Sequence, residues 1–305
     1  MYFKKVRCIQ LFCLILLLFS TIRCTQTADL IIFSYDRPLQ LYALLESTEK
    51  CITGLQEVHV IYRTSNQAYK QAYEKVKKRF NTIIYWEQGS HPRKDFKPLT
   101  LKAAFESPSE YIIFAVDDII VKDFIDIHKS ITVLKKTNAY GLYFRLGLHL
   151  TRCYPLNCNQ QVPPCMHIQD DIYAWYFTKG KGDWGYPNTV DMTLYRKKDI
   201  EATLKSISYW APNTLEGWWG SRGLRNIKRQ PIGLCYKESK IVNLPLNRVH
   251  KIGNNRTMNA FFPKELLDIF NQGLKIDIDA LFKTVNESAH MDYIPKFIKR
   301  KKPTT

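Results

Sequence analysis

The sequence predicts an α/β fold in which a mostly parallel central sheet is flanked by helices, with an elaborated C-terminal half. Three observations carry this. Short apolar runs alternate with longer amphipathic segments from Asp29 onward, the pattern of strands joined by crossover helices. The strand-like runs are rich in Ile, Val, Phe and Tyr, which suit a sheet buried on both faces. The 305 residues are 45% hydrophobic and 13% aromatic, enough for a packed core and too apolar for a disordered chain.

Taken in order, strands are expected at 29–35 (DLIIFSY), 57–63 (EVHVIYR), 82–87 (TIIYWE) and 111–118 (YIIFAVDD). Helices are expected between them near 38–51, 66–80 and 98–107. The first is marked by Pro38 at a favourable first-turn position and by Leu41, Leu44 and Leu45 at helical spacing. A helix at 122–136 and a strand at 140–146 follow. Beyond Gly147 the pattern weakens into a segment bearing cysteines and prolines, then a Gly- and aromatic-rich stretch. Helices are predicted at 197–207, 263–272 and 277–286, and a short strand near 240–244. No internal repeat or linker divides the chain, so residues 25–290 read as one domain with halves at about 29–147 and 148–290, followed by a basic tail at 291–305.

The N-terminus carries a different message. Cys8 to Ile22 form a nearly unbroken apolar run behind Lys4, Lys5 and Arg7, the charge order of an export signal or a membrane anchor. The run is short of the roughly 20 apolar residues of a bilayer span, which favours a cleaved signal in residues 1–24. An exported or membrane-associated protein is expected, lying in the secretory lumen if the source is eukaryotic. Sequons at Asn255 and Asn286 fit that route. The formal charge of +17 stays strongly basic without the leader's Lys and Arg, and such a field favours anionic partners, with a membrane surface among them for the terminal lysines. The lysines are scattered rather than grouped on one element, so no nucleic-acid partner is expected. Cys153, Cys158 and Cys165 cluster in a Pro- and Asn-rich stretch, where an exported protein forms a loop disulfide. Zinc with the nearby His167 is the competing reading, although the spacing matches no common module.

The strongest chemical feature is the pair Asp117 and Asp118 at the end of YIIFAV. Carboxylates at the edge of an apolar strand are costly unless a cation or hydrogen bonds compensate them, and in open α/β sheets ligands bind beyond the carboxyl ends of the strands. A divalent metal meets both conditions. A plain helix cap is the alternative. No GxSxG elbow is present and no Walker loop or GxGxxG follows the first strand, so hydrolase and dinucleotide readings lack their usual marks.

The opening IIFSYDRPLQL, the order of elements and the fourth-strand FAVDD together resemble GT-A glycosyltransferases, especially the family 2-like group, over roughly residues 29–250. That resemblance implies a GT-A-like, Rossmann-like fold and transfer of a sugar from a UDP- or GDP-sugar to a hydroxyl of a glycan, lipid or protein. It places nucleotide contact at Ser34, Tyr35, Asp36 and Arg37, with Arg63 and Asp117 beside them. The family's acidic motif is Asp-any-Asp; here Ile119 stands where the second acid would follow Asp117, so the match shifts to Asp118 as metal ligand with Asp117 contacting ribose or sugar, the reverse assignment being the alternative. Mn²⁺ or Mg²⁺ suits such oxygen ligands, and His250 is a further candidate ligand. An inverting reaction needs a carboxylate base. Glu216, just before Trp218 and Trp219, whose flat apolar faces suit stacking on a sugar ring, is the first choice, in a segment resembling the family's acceptor-site motif but with Gly217 where an acid usually follows. Asp183 and Asp191 compete for the role; Asp170 and Asp171 are further candidates that read rather as a turn or a helix cap. A non-catalytic carbohydrate-binding relative and a metal-dependent nucleotidyltransferase are the alternative functions.

Overall fold

The computed structural model describes residues 26–222, 224–249, 256–258 and 260–300. The apolar N-terminal run, His250 and Asn255 lie outside them. The elements are β1 (Ala28–Tyr35), α1 (Pro38–Cys51), β2 (Leu55–Arg63), α2 (Gln67–Arg79), β3 (Ile84–Glu87), α3 (Pro92–Phe105), β4 (Tyr111–Val116), α4 (Ile127–Thr137) and β5 (Gly141–Gly147). They continue with β6 (Cys165–Gln169), β7 (Ile172–Tyr176), β8 (Thr193–Arg196), α5 (Lys197–Ser206), α6 (Pro212–Arg222), α7 (Leu224–Arg229), β9 (Ile232–Tyr236) and α8 (Pro263–Asn271).

The nine strands form one sheet in the order β6-β7-β9-β5-β8-β4-β1-β2-β3. The half made of β4, β1, β2 and β3 is parallel throughout, as the β-α-β pattern requires. The far half is mixed: β8 runs antiparallel to β4 and β5, β9 is parallel to β5, and β6–β7 is a hairpin on the edge. The α/β architecture is as predicted; the unbroken parallel run ends at β4, and β5 with β9 is the one parallel pair beyond it in this sheet among the described residues.

Period-two alternation builds two cores, one on each face. Leu30 and Ile32 of β1 join Val60, Ile113 and Ala115 under α1, α2 and α4, while Ile31 and Phe33 join Ile61, Ile112 and Phe114 under α3, α5 and α6. Because β1 buries both faces completely, it occupies the middle of its half of the sheet. Each such side chain contributes about 1.5–3 kcal/mol, and Ile32→Ala would cost about 2–5 kcal/mol.

Several boundaries differ from expectation for local reasons. The helix expected at 98–107 starts at Pro92, so Pro98 lies inside α3. The helix expected at 122–136 starts at Ile127, capped by Asp126 Oδ1 accepting from Lys129 N at 3.0 Å. Residues 119–121 before it pair antiparallel with 241–243. Residues 277–286 hold one 3₁₀ turn, Asp279–Leu281, in place of a helix. The basic tail is also corrected in part: Phe297–Lys299 pairs with Leu274–Ile276, and the Arg300 guanidinium lies 3.8 Å from the Phe270 ring centre. No described helix is long and apolar enough to cross a membrane.

Candidate active site

The carboxyl ends of β1, β2 and β4 open into a cleft whose opposite wall is α6 with the loops before β8 and after residue 243. This is where an open α/β sheet binds ligands. The Asp117–Asp118 turn forms its floor, just past the last residue of β4. Asp117 is 3% exposed. Its carboxylate accepts from Ser34 Oγ at 2.8 Å, from the Tyr35 amide at 3.2 Å and from Arg37 Nη1 at 3.0 Å. Arg37 Nη1 also reaches Asp118 Oδ2 at 3.1 Å. One guanidinium thus compensates two carboxylates. It is itself held by Asn247, whose Oδ1 accepts from Nε at 3.0 Å and whose carbonyl accepts from Nη2 at 2.5 Å. Burial pushes the Asp117 carboxyl up, and the Arg37 charge opposes that shift.

The compensation that the sequence assigns to a metal is therefore supplied in part by Arg37. One acceptor remains: Asp118 Oδ1 is buried and has no hydrogen-bond partner. No three His, Cys, Asp or Glu gather into a metal-binding group among the described residues. A cation held by one carboxylate oxygen, with phosphate oxygens and water completing its shell, fits this donor set, as Mg²⁺ sites commonly do.

Across the cleft, α6 brings in Glu216, whose Oε1 accepts from the Val190 amide at 2.7 Å. Burial pushes its carboxyl up to about 7, and the neighbouring Asp191 charge adds to the shift. A carboxylate poised there is suited to general-base work near neutral pH. Asp191 Oδ1 accepts from Asn243 Nδ2 at 3.2 Å, and its Oδ2 lies 3.9 Å from His290 Nε2. Arg63, Arg93, Arg248 and Arg256 line the same cleft, a basic wall suited to phosphate oxygens. Arg63 also sits over the Tyr35 ring at 4.7 Å.

Most of the expected residues meet here: Ser34, Tyr35, Arg37, Arg63, Asp117, Asp118, Asp191 and Glu216 all line the cleft. Three expectations are corrected. Asp36 takes a left-handed φ of 51° and turns its carboxylate to the Ser65 amide at 2.9 Å, shaping the bend after β1 instead of facing a ligand. Asp183 is buried away from the cleft, paired with Arg145 Nη1 at 3.1 Å and bonded to Gln160 Nε2 at 3.2 Å. The tryptophan pair supplies no sugar platform: Trp219 is core against Phe114 and Tyr195, and Trp218 lies outside the cleft lining. Asp170 and Asp171 form the β6–β7 turn as expected and face Lys129 and Lys240. His250, the third metal candidate, lies outside the described residues.

Sequence reasoning missed Trp210, Asn243 and His290 in the lining and Asn247 behind Arg37. Trp210 had a local signal, an aromatic just before the Pro212 that opens α6. The other three arrive from distant segments and had none.

No family model matches the chain. A curated protein of Dictyostelium discoideum, the bifunctional glycosyltransferase pgtA, is 22% identical over 298 residues, covering 86% of this chain and 36% of its own length. The relative is a glycosyltransferase. The resemblance to glycosyltransferases expected from the sequence is thus met, although the chain spans only about a third of that relative. Among solved structures, S. aureus TarS 1–349 in complex with UDP is 14% identical, with 70% of this chain and 59% of that one covered and a TM-score of 0.43. Its complex with UDP-GlcNAc is 13% identical, with 80% and 65% covered and a TM-score of 0.40. Likenesses of that size bear on neither ligand nor activity.

Proposed function

We propose that this protein is a glycosyltransferase that moves a sugar from a nucleoside-diphosphate donor, a UDP- or GDP-sugar, to a hydroxyl of a glycan, lipid or protein. The observation that carries the reading is the meeting in one cleft of two kinds of group. One is an arginine-clamped acidic turn at the strand ends; the other is a carboxylate on the opposite wall raised to about 7. The basic lining and the similarity to a glycosyltransferase support it.

Arg63, Arg93, Arg248 and Arg256 would take the diphosphate, while Ser34 and Tyr35 frame the nucleoside end with Asp117 behind them. Glu216 would accept the proton of the acceptor hydroxyl as that oxygen attacks the anomeric carbon, an inverting displacement. Asp191 would keep the Glu216 carboxyl basic through its charge. Trp210, on the cleft rim, offers an aromatic face to the acceptor. A Mn²⁺ or Mg²⁺ ion would be held by Asp118 through Oδ1 and would supply neutralisation of charge on the leaving diphosphate. Export through the N-terminal apolar segment belongs to the same proposal.

The test is calorimetric titration of UDP into wild type and Asp118→Asn, with and without Mn²⁺. Binding by wild type that requires the metal and is lost in the variant is expected. Equal, metal-independent binding in both proteins overturns the metal reading.

A further inference from the structure

Residues 152–159 form a small hairpin apart from the main sheet. Arg152–Cys153 runs antiparallel to Cys158–Asn159, with Cys153 directly opposite Cys158. The turn between them is closed by Asn157 N donating to the Tyr154 carbonyl at 3.1 Å, and Asn157 takes a left-handed φ of 48°. Side chains directly opposite in an antiparallel ladder share a face, with Cβ atoms about 4.5–5.5 Å apart. A disulfide needs Cβ atoms about 3.5–4.5 Å apart and Cα atoms within about 7 Å, so a small local adjustment closes the gap. The other thiols are worse placed. Cys165 and Cys235 stand on β6 and β9 with β7 between them, two strand spacings or roughly 9–10 Å apart. All five described cysteines are thiols here; Cys153 is buried and Cys158 exposed.

The hairpin leans on a wall of the cleft. Tyr154 stacks on His290 at 5.8 Å between ring centres, and the Arg256 guanidinium lies 4.3 Å from the Tyr154 ring centre. The Tyr154 hydroxyl donates to Asp292 at 2.5 Å, and the Tyr154 amide donates to Ser288 Oγ at 3.0 Å. Arg256 also reaches Asn157 Oδ1 at 2.6 Å. Both His290 and Arg256 line the cleft, so the shape of this hairpin sets where they stand.

We propose that Cys153 and Cys158 form a disulfide when the chain meets an oxidising small-molecule disulfide, and that the bond fixes the hairpin holding His290 and Arg256 at the cleft. The exposed Cys158 thiolate attacks the donor first: the donor's S–S bond breaks, a mixed disulfide forms at Cys158 and one thiolate leaves. The Cys153 thiolate then attacks the Cys158 sulfur and expels the second thiolate. The pair loses two protons and two electrons, and the donor is reduced to two thiols. Burial pushes the Cys153 thiol up, which lowers its thiolate fraction and slows the second step. The assignment stands on the hairpin register and is independent of the sugar-transfer reading.

The experiment treats the full chain with oxidised glutathione or with dithiothreitol, alkylates it after denaturation and maps chymotryptic fragments, cleavage at Leu156 separating the two cysteines. The oxidised sample should show Cys153 linked to Cys158, with Cys51, Cys165 and Cys235 alkylated. Cys158→Ser, a change at an exposed position, should leave Cys153 alkylated. Hydrogen exchange at 286–292 should slow about tenfold on oxidation in wild type and not in Cys158→Ser. A Cys158–Cys165 link, or alkylation of both Cys153 and Cys158 after oxidation, overturns the pairing. Unchanged exchange at 286–292 overturns the fixing of the cleft wall.

Discussion

Replacing Arg37 with methionine removes the cation that the acidic turn depends on while keeping the length of the side chain. Arg37 Nη1 lies 3.0 Å from Asp117 Oδ1 and 3.1 Å from Asp118 Oδ2, and the three side chains are 12%, 4% and 16% exposed. Breaking a pair this buried costs about 3–5 kcal/mol, because it strands the surviving charges. Asp117 keeps the Ser34 hydroxyl and the Tyr35 amide, which argues for the lower end, about 3 kcal/mol. In a chain of this size that corresponds to a fall of about 5 °C in the melting midpoint. The loss should depend on pH. Burial already raises the Asp117 carboxyl and Arg37 opposes it, so the variant raises it further. A carboxyl raised in the folded state holds protons that the unfolded chain releases, so stability falls as pH rises above the unfolded value of about 3.9. The deficit against wild type should therefore be small near pH 4 and complete by neutrality. Urea unfolding followed by far-ultraviolet circular dichroism at three pH values measures it, and Arg37→Met/Asp118→Asn should lose less than Arg37→Met alone. A deficit below about 1 kcal/mol at neutral pH, or one that stays constant with pH, would refute the view that Arg37 is the counter-ion of this turn.

Three further outcomes are expected. If Glu216 is the base with its carboxyl near 7, donor turnover with water as acceptor, read as released UDP, should rise about tenfold from pH 6 to pH 8 as the group ionises, and Glu216→Gln should abolish that rise. Asp183→Ala leaves Arg145 buried without its carboxylate, so the midpoint in urea should drop by an amount equivalent to about 3–5 kcal/mol while the folded fraction keeps its affinity for UDP. Lys197→Met strands Asp29, a 0% exposed acid bonded to Lys197 Nζ at 2.7 Å; thermal melts should show a comparable loss, again without a change in nucleotide binding.

What could be read in advance follows from the range over which each feature is determined. β1 and β4 were legible because LIIF and YIIF bury both faces, which leaves a continuous apolar run. The acidic pair was legible as a site because it ends such a run. The start of α3 was not, since Pro92 and Pro98 are equally acceptable as first-turn residues. Phe96, Thr100, Ala103 and Ala104 are the buried positions, and their helical spacing crosses Pro98, which marks the earlier start. The counter-ion of the acidic turn was assigned to a metal because Arg37 lies 80 residues before Asp117 in sequence, and only the pairing of β1 with β4 brings them together.

Asp183 and Asp191 show the same limit most clearly. They share one loop, eight positions apart in number, and nothing local separates a catalytic acid from a structural one. The decision is made by Arg145 on β5. Its guanidinium reaches Asp183 and the backbone carbonyls of Asp183 and Tyr186, so a charge that must be buried is satisfied by consuming that carboxylate. Asp191, beyond the reach of those bonds, is left at the cleft with an amide of Asn243 as its side-chain donor. Which aspartate faces the ligand is thus a consequence of where a neighbouring strand puts its one buried cation, and the prediction for Asp183→Ala tests that allocation directly: a loss of affinity for UDP in the folded protein would return Asp183 to the site.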